Sequence, residues 1–119
     1  MSTRVGRRHR QREKLAAPVS DYRDAEGDVL RLKGALGPAS RREYTALLQG
    51  GLHREDAEQR ALEFLFERLA VEWTIAGAGI THQRELLGRL RIASTAERQF
   101  VREAVRAHLA EHFPELQAP

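Results

Sequence analysis

The amino-acid sequence predicts an all-α protein: a compact bundle of about five helices around one long central helix, preceded by a flexible Arg-rich N-terminal arm. Three observations carry that expectation. β-Branched residues are sparse and no clear run alternates apolar with polar residues, so strand signals are nearly absent. Helix starts and stops recur, with Ser-x-x-Glu boxes at Ser40–Glu43 and Ser94–Glu97 and terminators at Gly50-Gly51, Gly77-Ala78-Gly79 and Pro114. Between the first and second of these terminators lies the longest stretch of helical apolar spacing, residues 52–76.

The elements follow in order. Residues 1–19 form the arm and residues 20–119 a single helical domain. Ser20 or Asp21 would cap a first helix carrying Tyr22, Ala25, Val29, Leu32 and Leu36, interrupted by Gly27 and stopped by Gly37-Pro38. The box at Ser40 opens a short second helix with Tyr44, Leu47 and Leu48, which ends at Gly50-Gly51. The long third helix spans about 52–76, closed by the glycines at 77 and 79. Thr81 begins a fourth with Leu86, Leu87 and Leu90, and the box at Ser94 opens the last, which runs until Pro114 stops it.

Placed at 100° intervals, the long helix shows two apolar stripes. Leu62, Leu65, Phe66, Leu69, Trp73 and Ala76 form one; Phe64, Val71 and Ile75 form a second on roughly the opposite side. Asp56, Arg60, Glu63 and Glu67 lie between them. A helix buried on two sides belongs in the middle of the bundle, with four others to cover it. The alternative is a homo-oligomer, or a helical protein–protein adaptor, in which the second stripe joins chains.

Charge is distributed unevenly. Residues 1–15 hold Arg4, Arg7, Arg8, Arg10, Arg12 and Lys14 against Glu13 alone, a net of +5, whereas the other 14 cations and 16 acids leave −2. Cationic side chains that neutralise phosphates release condensed counterions, and arginine adds bidentate contacts to phosphate oxygens. Such an arm suits a polyanion, so the expected partner is nucleic acid, DNA or RNA, or else an acidic protein surface. Arg98, Arg102 and Arg106 recur at i, i+4 and i+8, making one row along the last helix. Like charges at that spacing repel by a few tenths of a kcal/mol per pair, which Glu103 offsets only in part. Arg84, Arg89 and Arg91 on the preceding helix could extend the row into a phosphate-binding surface.

Other motifs point elsewhere with less force. Glu85–Ile92 followed by Ala-Ser-Thr-Ala and a last helix resembles a helix-turn-helix, with Leu86, Leu90, Ile92 and Val101 near its apolar positions. It departs from that motif at Arg91, where the turn usually has Gly, and at Glu97, where an inward apolar residue is usual. His108-Leu-Ala-Glu111-His112 matches the H-x-x-E-H form of inverted zinc proteases, in which two histidines one turn apart bind zinc. That architecture takes a further carboxylate well downstream, and Pro114 ends the helix almost at once. His112 is better read as a helix C-terminal cation and His108 as a partly buried core residue. Gly77-Ala78-Gly79 lacks the third glycine and the Lys-Ser/Thr of a phosphate loop. No nucleophile–base arrangement stands out, so no enzyme, cofactor or metal is expected. With no cysteine, no long apolar span and no apolar segment after the basic N-terminus, neither disulfides, a membrane span nor a secretory signal is expected, and the cytoplasm is the default compartment.

Overall fold

In the computed structural model, which describes residues 17–51 and 53–119, the segment expected to be the first helix is a hairpin of two strands. In β1 (Val19–Arg23) Ser20 and Tyr22 turn inward while Val19, Asp21 and Arg23 turn out. In β2 (Val29–Lys33) Leu30 and Leu32 are fully buried and Val29, Arg31 and Lys33 face away from them. Side chains with period two on both strands place one apolar face on the core. Gly27 does not interrupt a helix here. It turns the hairpin at φ +87°, and the Asp24 carboxylate accepts the backbone N–H of Glu26 and Asp28 at 2.9 and 3.0 Å.

Gly37-Pro38 likewise starts a helix instead of stopping one. Gly37 is the N-cap and Pro38 the first residue of α1 (Pro38–Leu48), because proline's fixed φ and missing N–H suit a first turn. Ser40 therefore lies inside α1, where its hydroxyl accepts from Arg68 Nε at 3.3 Å and caps nothing. The helix does end beside Gly50-Gly51, as its glycines predict.

The long central helix is the largest correction. Helix α2 (Arg54–Leu69) stops at Ala70, whose φ −70° and ψ 126° are extended, and the chain runs directly into β3 (Ala70–Ile75). Val71, Trp73, Thr74 and Ile75 are the β-branched and aromatic types that fit a pleated surface, and β3 pairs with β2 through Leu30↔Trp73 and Arg31↔Glu72. The register then shifts to Leu32↔Ala70, so Val71 is an extra, bulged residue on the exposed side. The second apolar stripe of the predicted helix thus dissolves. Phe64 stays on α2 and packs partly buried beneath the Arg68 guanidinium, 3.7 Å from its ring centroid, whereas Val71 and Ile75 belong to a strand.

Gly77-Ala78-Gly79 is not a helix terminator either. Ala76 and Gly77, at φ +51° and +81°, form the two-residue turn into β4 (Ala78–Ile80), a backbone whose twist matches the flanking strands. Asp28 reaches across from the other hairpin to accept the Ala76 N–H at 3.0 Å. An alanine at positive φ costs roughly 1 kcal/mol, and asparagine is the preferred residue before glycine in this turn. Ala76→Asn should therefore stabilise the protein by about 0.5–1 kcal/mol, read as a melting temperature a few degrees higher.

The four strands form one antiparallel sheet in the order β1-β2-β3-β4, followed by α3 (Gln83–Arg91) and α4 (Thr95–His112). Among the described residues this gives four helices and four strands, an α+β fold and not an all-α five-helix bundle. Leu30, Leu32 and Trp73 from the inner sheet face meet Tyr44, Leu62, Leu65, Phe66, Leu86, Leu90, Val105 and Leu109 from the helices in one core. The outer face is open, and there Arg31 bridges Asp21 at 2.8 Å and Glu72 at 3.6 Å across three strands. No helix among the described residues is long and apolar enough to cross a membrane.

Candidate nucleic-acid interface

Six of the predicted phosphate contacts, Arg4, Arg7, Arg8, Arg10, Arg12 and Lys14, lie outside the described residues. The other three are on α4, whose start is fixed by the predicted capping box. Ser94 Oγ accepts the Glu97 N–H at 3.1 Å and Glu97 Oε1 accepts the Ser94 N–H at 2.8 Å. Val101, Ala104, Val105, His108 and Leu109 bury one side of α4, which leaves Arg98 and Arg106 exposed and Arg102 half-buried along one edge of that side. At 1.5 Å of rise per residue the row is about 12 Å long.

The row differs in its partners from the arginines that are ion-paired. Arg31, Arg41, Arg54, Arg68, Arg89 and Arg91 each sit within 4 Å of a carboxylate. Among the described residues no aspartate or glutamate side chain lies that close to Arg98, Arg102 or Arg106, nor to Arg23, Arg42, Arg60 or Arg84. Arg98 Nη2 donates to the Arg91 carbonyl at 2.8 Å, a contact that steers the guanidinium without neutralising it, and Arg106 Nη2 donates to a main-chain oxygen of Pro119 at 3.4 Å. The preceding helix adds less than the sequence suggests. Arg89 is held by two hydrogen bonds to Glu97, at 2.6 and 3.1 Å, and lies over the Trp73 ring; Arg91 pairs with Glu63 at 3.2 Å. The Arg89 guanidinium, with help from the Ser94 N–H, holds the Glu97 carboxyl below the usual carboxylate range. Arg84 alone of the three is exposed with no ion pair among the described residues.

Helix α4 also separates charges of opposite sign. Glu103 faces away from the arginine row, where Gln99 donates to it at 3.4 Å. With Glu97, Phe100 and the hairpin residues Arg23, Asp24, Glu26 and Asp28 it lines an open groove of about 700 Å³. Acidic side chains outnumber the single arginine on this flank, which would repel phosphate. The sequence concealed it, because the hairpin acids join Glu103 only once β1 and β2 have paired.

The histidines are structural. His108 is fully buried, its Nε2 donating to the Lys33 carbonyl at 2.8 Å and its Nδ1 accepting the Tyr22 hydroxyl at 2.8 Å. Both ring nitrogens are engaged, and burial pushes its pKa below the ordinary histidine value, as does the neighbouring His112. The His112 ring packs beside it, tilted by 42° with centroids 4.4 Å apart, and reaches Ser20 Oγ at 3.2 Å. The pair of histidines thus ties α4 to the hairpin, and His108 is more deeply buried than its sequence context implies.

The helix-turn-helix spacing is present in part. α3 and α4 are joined by Ile92, Ala93 and Ser94, and Leu86, Leu90 and Val101 are buried as the motif requires. Ile92 is not. Its side chain is 78% exposed, where the motif would turn it inward. Comparison with protein-family models, curated proteins and solved structures gives no significant match.

Proposed function

We propose that this chain is a non-catalytic nucleic-acid-binding protein, or a small component of a nucleoprotein assembly. The N-terminal arm and the Arg98–Arg102–Arg106 row would grip phosphates, and no cofactor takes part. One observation supports the reading above the others: the row sets three positive charges along one edge of α4 with no aspartate or glutamate partner among the described residues. An unpaired like-charge row is mildly destabilising by itself, so it fits a surface completed by an external polyanion. The arm adds a further net +5.

The test is binding to generic duplex DNA and to a structured RNA over a salt series, with the full chain and with Arg98, Arg102 and Arg106 all changed to Gln. If each arginine neutralises one phosphate, the triple substitution flattens the log K against log salt slope by up to about 2.7. Melting should be unchanged or slightly raised, since the substitutions relieve repulsion. Binding of equal strength and slope by both proteins would remove the row from the interface. Binding to an acidic protein surface, with no affinity for either nucleic acid, would overturn the reading.

A further inference from the structure

We propose that Ile92 is an apolar wedge that enters a base step of duplex DNA when the arginine row contacts the backbone; the inference rests on the nucleic-acid reading above. Ile92 is the most exposed large apolar residue among those described, at 78% against 53% for Val19 and 38% for Val71. It is held rigidly. Its N–H bonds back to the Gly88 carbonyl at 3.3 Å, the Ala93 N–H bonds to the Leu90 carbonyl at 3.1 Å, and two residues later the Ser94 capping box fixes the start of α4. The side chain therefore stands at the short corner between α3 and α4 and not on a long loop.

Its neighbours are cationic. Arg91 precedes it with its side chain 60% exposed though paired with Glu63, and the Arg98 guanidinium, which has no aspartate or glutamate partner among the described residues, lies against the Arg91 carbonyl at 2.8 Å. From there Arg102 and Arg106 continue along α4. An apolar tip framed by guanidinium groups matches a ligand that is anionic outside and apolar within. Duplex DNA and an anionic bilayer both have that character. A single isoleucine favours DNA: stable membrane anchoring needs two signals or a long acyl chain, whereas unstacking one base step uses one or two inserted side chains flanked by arginine.

The experiment uses the full chain and two duplexes of about 30 base pairs, one labelled at both ends for energy transfer and one carrying 2-aminopurine at internal steps. On binding, the unsubstituted protein should bend the first and brighten the second. Ile92→Ala should abolish both signals while weakening binding by less than about tenfold, because the phosphate contacts remain. As Ile92 is exposed, the variant should melt like the parent. Binding without bending or brightening by the unsubstituted protein would overturn the wedge and leave the nucleic-acid reading standing. Bending retained in Ile92→Ala would overturn it equally. Loss of Ile92-dependent binding to duplex in favour of vesicles of mixed phosphatidylserine and phosphatidylcholine would replace DNA with a membrane surface, and no binding to any nucleic acid would remove both readings.

Discussion

Trp73→Ala should lower stability by about 3–5 kcal/mol, comparable to the whole stability of many small domains, and leave the protein largely unfolded or aggregated. Trp73 is fully buried at the centre of the sheet, opposite Leu30 on β2 and Ile80 on β4, and its ring meets Phe66 edge-on at 5.8 Å. Replacing it empties the contact between sheet and helices at one stroke. Its indole N–H finds no hydrogen-bond acceptor among the described residues, so its contribution is apolar packing, with the Arg89 guanidinium 5.6 Å from the ring centroid. Trp73→Phe, which keeps most of the ring and gives up no hydrogen bond, should cost less than half as much. Far-ultraviolet circular dichroism through a urea titration would measure both. A well-folded Trp73→Ala with unchanged melting would contradict the packing described here.

The second large effect is acid lability. His108 is held neutral by burial, and its pKa lies below the ordinary value of about 6.5. The unfolded chain then takes up this proton at higher pH than the folded one. Stability should be full above about pH 7 and decline as pH falls through the unfolded value toward the lower folded one. The groups that face His108 are Tyr22 from β1, the Lys33 carbonyl from β2, and Glu111 and His112 from its own helix. His108→Gln can donate to the Lys33 carbonyl and accept from Tyr22, so it should remove the decline below about pH 6.5 that belongs to His108. His108→Leu would leave two polar groups without a partner and cost about 2–4 kcal/mol at every pH. Urea midpoints at several pH values would separate the two. An unchanged midpoint between pH 7 and 5 in the unsubstituted protein would contradict a buried neutral His108.

The parts of the fold that were legible in the sequence are those governed by local chemistry. The Ser94–Glu97 box, the apolar spacing of Leu86 and Leu90, and the stop before Pro114 depend on neighbours within one or two turns. The strands depend on pairing. Tyr22, Val29, Leu32 and Leu36 fit helical spacing by coincidence, while the Tyr22/Ser20 and Leu30/Leu32 alternation runs for only five residues on each strand. Nothing breaks the chain between Leu69 and Ala70, since neither glycine nor proline intervenes. Leu69 and Trp73 stand four apart, a spacing common to a helical turn and to one face of a strand. Pairing with Leu30 and Arg31 decides for the strand. The arginine row was legible because it needs only its own helix. The engagement of Arg89 and Arg91 was not, because Glu63 lies 28 residues from Arg91.

Phosphate recognition through cationic side chains is decided by deleting residues 1–15. Five net charges, each contributing roughly −0.9, should give the arm a slope of about −4 to −5 in log K against log salt on duplex DNA. The truncated protein should lose most of that slope and several-hundred-fold of the affinity change between about 50 and 200 mM salt. Its melting temperature should stay nearly the same, since the arm has few apolar residues to add to the core. Equal binding by the full and truncated chains at every salt concentration would contradict the claim.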